Sequence, residues 1–170
     1  MMIQHCQLHD LPQILALYDA ARCLQKERKM VVWPAFDEKF IENEITEHRQ
    51  WKIADSAQIL CNWAITFQDK EIWENKDNND AIYIHRICTH PDFRGNRFID
   101  RIVEWATEYA SRKGKAYLRL DTLGNNTKLI EHYTSAGFEF LGMFKLTDTS
   151  TLPKHYQDEP NCCLFEIRLQ

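Results

Sequence analysis

Residues 82–99, IYIHRICTHPDFRGNRFI, decide the fold. The first eight form an apolar, β-branched run that reads as a strand. The next eight hold Pro91, Gly95 and Asn96, a turn with basic residues at Arg94 and Arg97. A long amphipathic helix opens behind them. Downstream come YLRLDT (117–122), a second strand, and NNTKLIEHYTSAGFEFLG (125–142). In that last stretch Asn125 or Asn126 caps a helix, and Leu129, Ile130, Tyr133 and Ala136 give it an inward stripe. Gly137 ends it. Strand, turn, helix, strand, helix, strand implies parallel pairing with right-handed crossovers, at least locally.

Upstream, Met2–Leu8 reads as a strand. Asp10 caps a helix with Pro12 in its first turn and Gln13 placed for a capping box, and its stripe is Ile14, Leu17, Tyr18, Ala21 and Leu24. A helix over 37–48 carries Phe40, Ile41 and Ile45. Residues 50–54 and 58–68 are two strands joined at 55–57, and 69–80 is a polar loop anchored by Trp73. Residues 152–156, LPKHY, read as an ordinary connection. The C-terminal CLFEIRL alternates, as a last, partly exposed strand should. The whole is one domain over 1–170: N-terminal helices and strands (1–80), a core (81–142) and a C-terminal loop and strand (143–170). The expected class is α/β (α+β), a mixed sheet with helices on both faces.

Composition narrows the partners. With 21 basic and 25 acidic residues the net charge is −4, and no Lys/Arg cluster stands out. Nucleic acid and anionic membranes are therefore excluded as expected partners, because phosphate binding needs cation density. A mildly acidic surface suits a cationic small molecule. The N-terminus lacks the layout of a signal peptide, and no run approaches ~20 apolar residues. Six dispersed cysteines without a CxxC pair point to free thiols and a cytoplasmic protein. Glycines stand only at 95, 114, 124, 137 and 142, so neither GxGxxG nor a P-loop can be present. His85, Cys88 and His90 do not make a metal site: neighbouring strand residues point to opposite faces and no fourth ligand appears.

Over 82–142 the chain resembles the GCN5-related N-acetyltransferase (GNAT) superfamily, whose turn reads Arg/Gln-x-x-Gly-x-Gly/Ala. Arg94, Gly95 and Asn96 fit it, whereas the later small positions are Arg97 and Ile99. The spacing from Asn126 to Tyr133, followed by Gly137-Phe138, also matches. The resemblance implies a mostly antiparallel sheet with a splayed parallel pair in its middle, and acetyl-CoA as acyl donor without a metal. Its pantetheine arm would bond the backbone of Ile87 and Thr89, its pyrophosphate would lie on the turn and helix start (Arg94, Gly95, Asn96, Arg97, Phe98, Ile99), and Asn126 would contact it. Tyr133 would be the general acid beside the sulfur. Strand alternation puts Tyr83, His85, Ile87 and Thr89 on one face, which makes His85 a candidate base.

The implied activity is transfer of an acetyl group to a primary amine of a small or amino-acid-like acceptor by direct attack. A lysine-like amine is neutral about once in 10³ at pH 7, a penalty of ~4.6 kcal/mol that a base reduces. Proton transfer from a tyrosine to a thiolate is uphill by ~2 kcal/mol, so Tyr133 is better seen as hydrogen-bonding the developing thiolate. Two alternatives stay open. One is a non-catalytic binding domain in which Arg97 and Ile99 crowd the cradle; the other is transfer to a protein or peptide. Dimers are common in the superfamily, so a homodimer is among the expectations.

Overall fold

Strands β2 (Gln50–Asp55) and β3 (Gln58–Thr66) pair antiparallel and are buried along almost their whole length. Strands covered on both faces cannot alternate polar with apolar, so any polar residue in them needs a partner. Lys52 Nζ reaches Asp10 at 2.6 Å, Gln50 Nε2 donates to Glu44 at 2.8 Å and to the Tyr18 hydroxyl at 2.9 Å, and Asn62 donates to Gln50 at 3.4 Å. This computed structural model describes residues 1–56 and 58–169. Ala57, part of the expected 55–57 connection, lies outside the described residues, as does Gln170.

The chain forms two compact units, one of residues 1–65 and 84–98, the other of residues 66–83 and 99–170. In the first, the strand order is β1 (Met2–His5), β2, β3, then the C-terminal part of β4 (Ala81–Thr89). Helices α1 (Leu11–Glu27) and α2 (Glu38–Thr46) bring Ile14, Leu17, Tyr18, Ile41 and Ile45 into one core with Cys6, Ile59 and Cys88. Of the expected stripes, Ala21 packs partly buried against this core and Leu24 is half-buried, whereas Phe40 is 43% exposed. β1 is shorter than expected because the Asp10 carboxylate accepts the Gln7 N–H at 2.7 Å and draws residues 8–10 into a 3-10 turn. That spends the Asp10 side chain, so the expected box with Gln13 does not form; Gln13 accepts from the Ile59 N–H instead.

In the second unit the order is β4, β5 (Tyr117–Leu123), β7 (Asn161–Arg168), β6 (Glu139–Lys145). β4 and β5 pair in parallel, with Tyr83 opposite Arg119, whereas β5–β7 and β6–β7 there, and β1–β2 and β2–β3 in the first unit, pair antiparallel. β5 and β6 do run in the same direction, but β7 lies between them. β7 is therefore an inner strand, buried from Cys162 to Phe165, where a partly exposed one was expected. The 69–80 stretch is not a plain loop. The Asp69 carbonyl accepts from the Ile72 and Trp73 N–H groups, starting α3 (Lys70–Trp73), which buries Ile72 and Trp73. Residues 152–156 likewise do more than connect. They lead into α6 (Lys154–Asp158), and Leu152 and Tyr156 pack into the core with Trp73, Tyr83 and Leu164.

Candidate active site

The first unit holds the strand and turn. β4 leaves the extended region at Arg86, whose φ is +51°, so simple alternation cannot be carried through it. Beyond Ile87 and Thr89, both half-buried, His90 Nδ1 accepts from the Asp92 N–H at 3.3 Å and residues 91–93 make one 3-10 turn. Arg94, Gly95, Asn96 and Arg97 are exposed, and Asn96 Nδ2 ties the turn to the Phe93 carbonyl at 2.8 Å. Gly95 has φ +88°, which a side chain rarely tolerates, and a Cβ there would meet nothing within 4 Å. Arg97 has φ +48°, the left-handed conformation that glycine supplies cheaply. α4 (Phe98–Arg112) starts immediately afterwards, and the positive dipole end of a helix start suits phosphate oxygens.

His85 is half-buried on this strand. Burial, followed by the charges of Arg86 and Arg49, pushes its imidazole down to about 3. At neutral pH the ring is neutral, hence able to accept a hydrogen bond, but it holds a proton weakly. Sequence alternation could not show this, because the burial that dominates it is set by the fold and Arg49 lies far away in the chain.

The second unit holds the helix expected to carry the acid. In α5 (Thr127–Ser135) the Asn126 side chain caps, accepting from the Leu129 N–H at 3.2 Å. Leu129, Ile130, Tyr133 and Ala136 are all only half-covered. Tyr133 packs on Phe165 at 5.4 Å and edge-on to Phe138 at 6.1 Å between ring centroids. Ile99 joins Ile102, Ala106 and Ala110 in the buried stripe of α4 and is 2% exposed, so its side chain goes to the core. A feature that the sequence did not reveal lies on β5. The carboxylates of Asp121 and Asp69 come within 4.8 Å, and the Tyr156 hydroxyl donates to Asp121 at 3.2 Å. Burial, then the charges of Asp121, Asp77 and Glu71, pushes Asp69 up to about 8; burial pushes Asp121 up to about 6. Glu71 and Asp77 lie near Asp69 in sequence, but burial and Asp121, the larger causes, are brought by the fold.

The Acetyltransferase (GNAT) family model matches residues 32–138, more than half of the chain. The chain belongs to the GNAT family. Among curated relatives, the uncharacterized N-acetyltransferase YesJ of Bacillus subtilis (strain 168) is 28% identical over 87 residues, 51% of this chain and 48% of that protein. The match thus spans about half the length of that relative. Among solved structures, a GNAT-family acetyltransferase from Listeria monocytogenes 4b F2365 superposes with a TM-score of 0.77 at 20% identity, covering 99% of this chain and 94% of the other. The structure of yncA from Salmonella typhimurium with its cofactor acetyl-CoA gives 0.69 at 12% identity, covering 99% and 94%.

Within the GNAT pattern, Arg97 stands where the family has a small residue, yet it keeps a backbone conformation typical of glycine. The second departure, Ile99, is absorbed by the buried stripe of α4. His85, Ile87, Thr89, Arg94, Gly95, Asn96, Arg97 and Phe98 lie in one unit, and Ile99, Asn126 and Tyr133 in the other. Among the described residues no helix is long and apolar enough to cross a membrane, and the six cysteines are free thiols, with Cys23 alone exposed.

Proposed function

We propose that this chain is an acetyl-CoA-dependent N-acetyltransferase acting on the primary amine of a small or amino-acid-like acceptor. The observation that carries this reading is the turn: Gly95 at φ +88° and Arg97 at φ +48° lead directly into α4. A turn of this shape at a helix start suits a pyrophosphate, with open space where a Gly95 side chain would stand. Of the two residues that would crowd the cradle in a non-catalytic fold, Ile99 is buried, which favours this reading, and Arg97 stands exposed on the turn.

In this reading Ile87 and Thr89 bond the pantetheine arm, and Asn126 adds a contact to the donor. Arg94 and Arg97 offer charge to the phosphates, beside the backbone of Gly95, Asn96, Phe98 and Ile99. The amine nitrogen attacks the thioester carbonyl, the C–S bond breaks with its electron pair on sulfur, and the nitrogen gives up one proton. Tyr133 hydrogen-bonds the departing thiolate and supplies its proton, regained as the amide nitrogen deprotonates. His85, kept neutral by burial and by the charges of Arg86 and Arg49, accepts a hydrogen bond from the amine directly or through water. It orients the lone pair and does not store the proton.

Calorimetric titration with acetyl-CoA, using dephospho-CoA as control, tests the donor. Saturable micromolar binding is expected, and none at millimolar acetyl-CoA would overturn the reading. A thiol-release screen then tests the acceptor, free amines and amino acids against peptides. Acetylation of peptides alone would overturn the small-acceptor part.

A further inference from the structure

Arg86 is a charged residue in the left-handed region in the middle of β4, a conformation that strains any side chain. Such strain persists only where the surroundings over-determine it. Here they do. The Arg86 Nη2 bonds both carboxylate oxygens of Glu44, at 2.6 and 2.5 Å, and Nε reaches the Tyr18 hydroxyl at 3.5 Å. The guanidinium also sits over the rings of Phe36 and Phe40, 5.5 and 5.4 Å from their centroids. Glu44 is 1% exposed and is further held by Arg49 at 2.8 Å and by Gln50.

An ion pair this deep seldom adds stability over an apolar pair of the same volume, because both charges must be desolvated. What it supplies is geometry. The fork of Arg86 is fixed in place by a carboxylate on α2, and its backbone is thereby fixed one residue before Ile87. We infer that Glu44 and Arg86 are positioning residues for acyl-donor binding: the pair holds the left-handed turn of β4 so that the backbone groups of Ile87 and Thr89 face the pantetheine arm. This rests on the acetyl-CoA reading given above.

Two double variants isolate the backbone from the charge. Glu44→Gln/Arg86→Gly and Glu44→Gln/Arg86→Ala lose the ion pair equally, but only glycine takes φ +51° without strain. The glycine double should bind acetyl-CoA within a few-fold of wild type. The alanine double should bind ~10-fold more weakly, with the KM for acetyl-CoA rising and kcat and the acceptor KM little changed. Equal affinities in the two doubles would overturn the inference while leaving the acetyl-CoA reading intact. A wild-type chain that binds no acetyl-CoA would overturn both. Should a double variant not fold, Glu44→Asp carries the test, since it keeps the charge but withdraws the carboxylate by one methylene. A raised acetyl-CoA KM at unchanged kcat is then expected, and an unchanged KM overturns the inference.

Discussion

Tyr133 of α5 lies on Phe165 of β7 with ring centroids 5.4 Å apart and the planes tilted by 55°. The contact belongs to the ring, whereas the proposed chemistry belongs to the hydroxyl, and Tyr133→Phe separates them. The variant should keep the melting temperature and the acetyl-CoA affinity of wild type, while turnover falls by ~10²–10⁴. Unchanged turnover in a thiol-release assay would remove Tyr133 from the mechanism. A large loss of melting temperature would show that the hydroxyl serves the packing instead.

His85 gives a prediction about pH. Burial, Arg86 and Arg49 lower its pKa to about 3, so it should stay neutral throughout the assay range. Its imidazole ¹⁵N shifts, assigned by comparison with His85→Gln, should not titrate between about pH 5 and 8. The sign for stability follows. The folded pKa lies below the free histidine value, so folding is disfavoured as pH falls from about 6.5 towards 3, and His85→Gln removes that loss. A titration midpoint near 6.5 would restore His85 as a proton-storing base.

How far the sequence carried these points depends on what kind of contact each needed. The strand, turn and helix from Ile82 to Arg112 could be read because periodicity and Gly95 are local signals. The Asn126 cap and the Tyr133 stripe were readable for the same reason. The inner position of β7 was not, because alternation in CLFEIRL does not say how many neighbours a strand has. The helix at Lys70–Trp73 was hidden by polar composition, since what stabilises it is burial of Trp73 against Tyr83, 5.7 Å between centroids. The left-handed conformation of Arg86 left no trace either. An arginine in a strand reads as extended, and the Glu44 that holds it lies 42 positions away.

Asp69 is the clearest test of the carboxylate pair. Its folded pKa, raised to about 8 by burial and by Asp121, Asp77 and Glu71, exceeds the ordinary value of 3.8. The folded state therefore binds the proton more tightly, and stability drains away as pH rises from about 4 to about 8. Asp121, raised to about 6, adds to the same loss between about 4 and 6. Asp69→Asn should be nearly neutral for stability at pH 4 and stabilising at pH 8, by several degrees in melting temperature (~2–4 °C per kcal/mol). Equal melting-temperature differences at the two pH values would show that Asp69 is not held protonated in the folded state.

Arg97 combines a strained backbone with a charge, and two substitutions pull them apart. Arg97→Gln keeps the Cβ at φ +48° but removes the guanidinium. If the charge meets phosphate, acetyl-CoA affinity falls ~5–10-fold, as for loss of a charged hydrogen bond, and the difference from wild type narrows as salt rises. Arg97→Gly removes the charge as well but relaxes the left-handed backbone, a relief of ~1–2 kcal/mol offset by ~0.5–1 kcal/mol of glycine's extra chain entropy. The glycine variant should therefore melt at or above wild type and bind acetyl-CoA at least as well as Arg97→Gln. Calorimetry at low and high salt checks both. Wild type and Arg97→Gln binding alike at every salt concentration would mean that the turn holds the donor through its backbone alone.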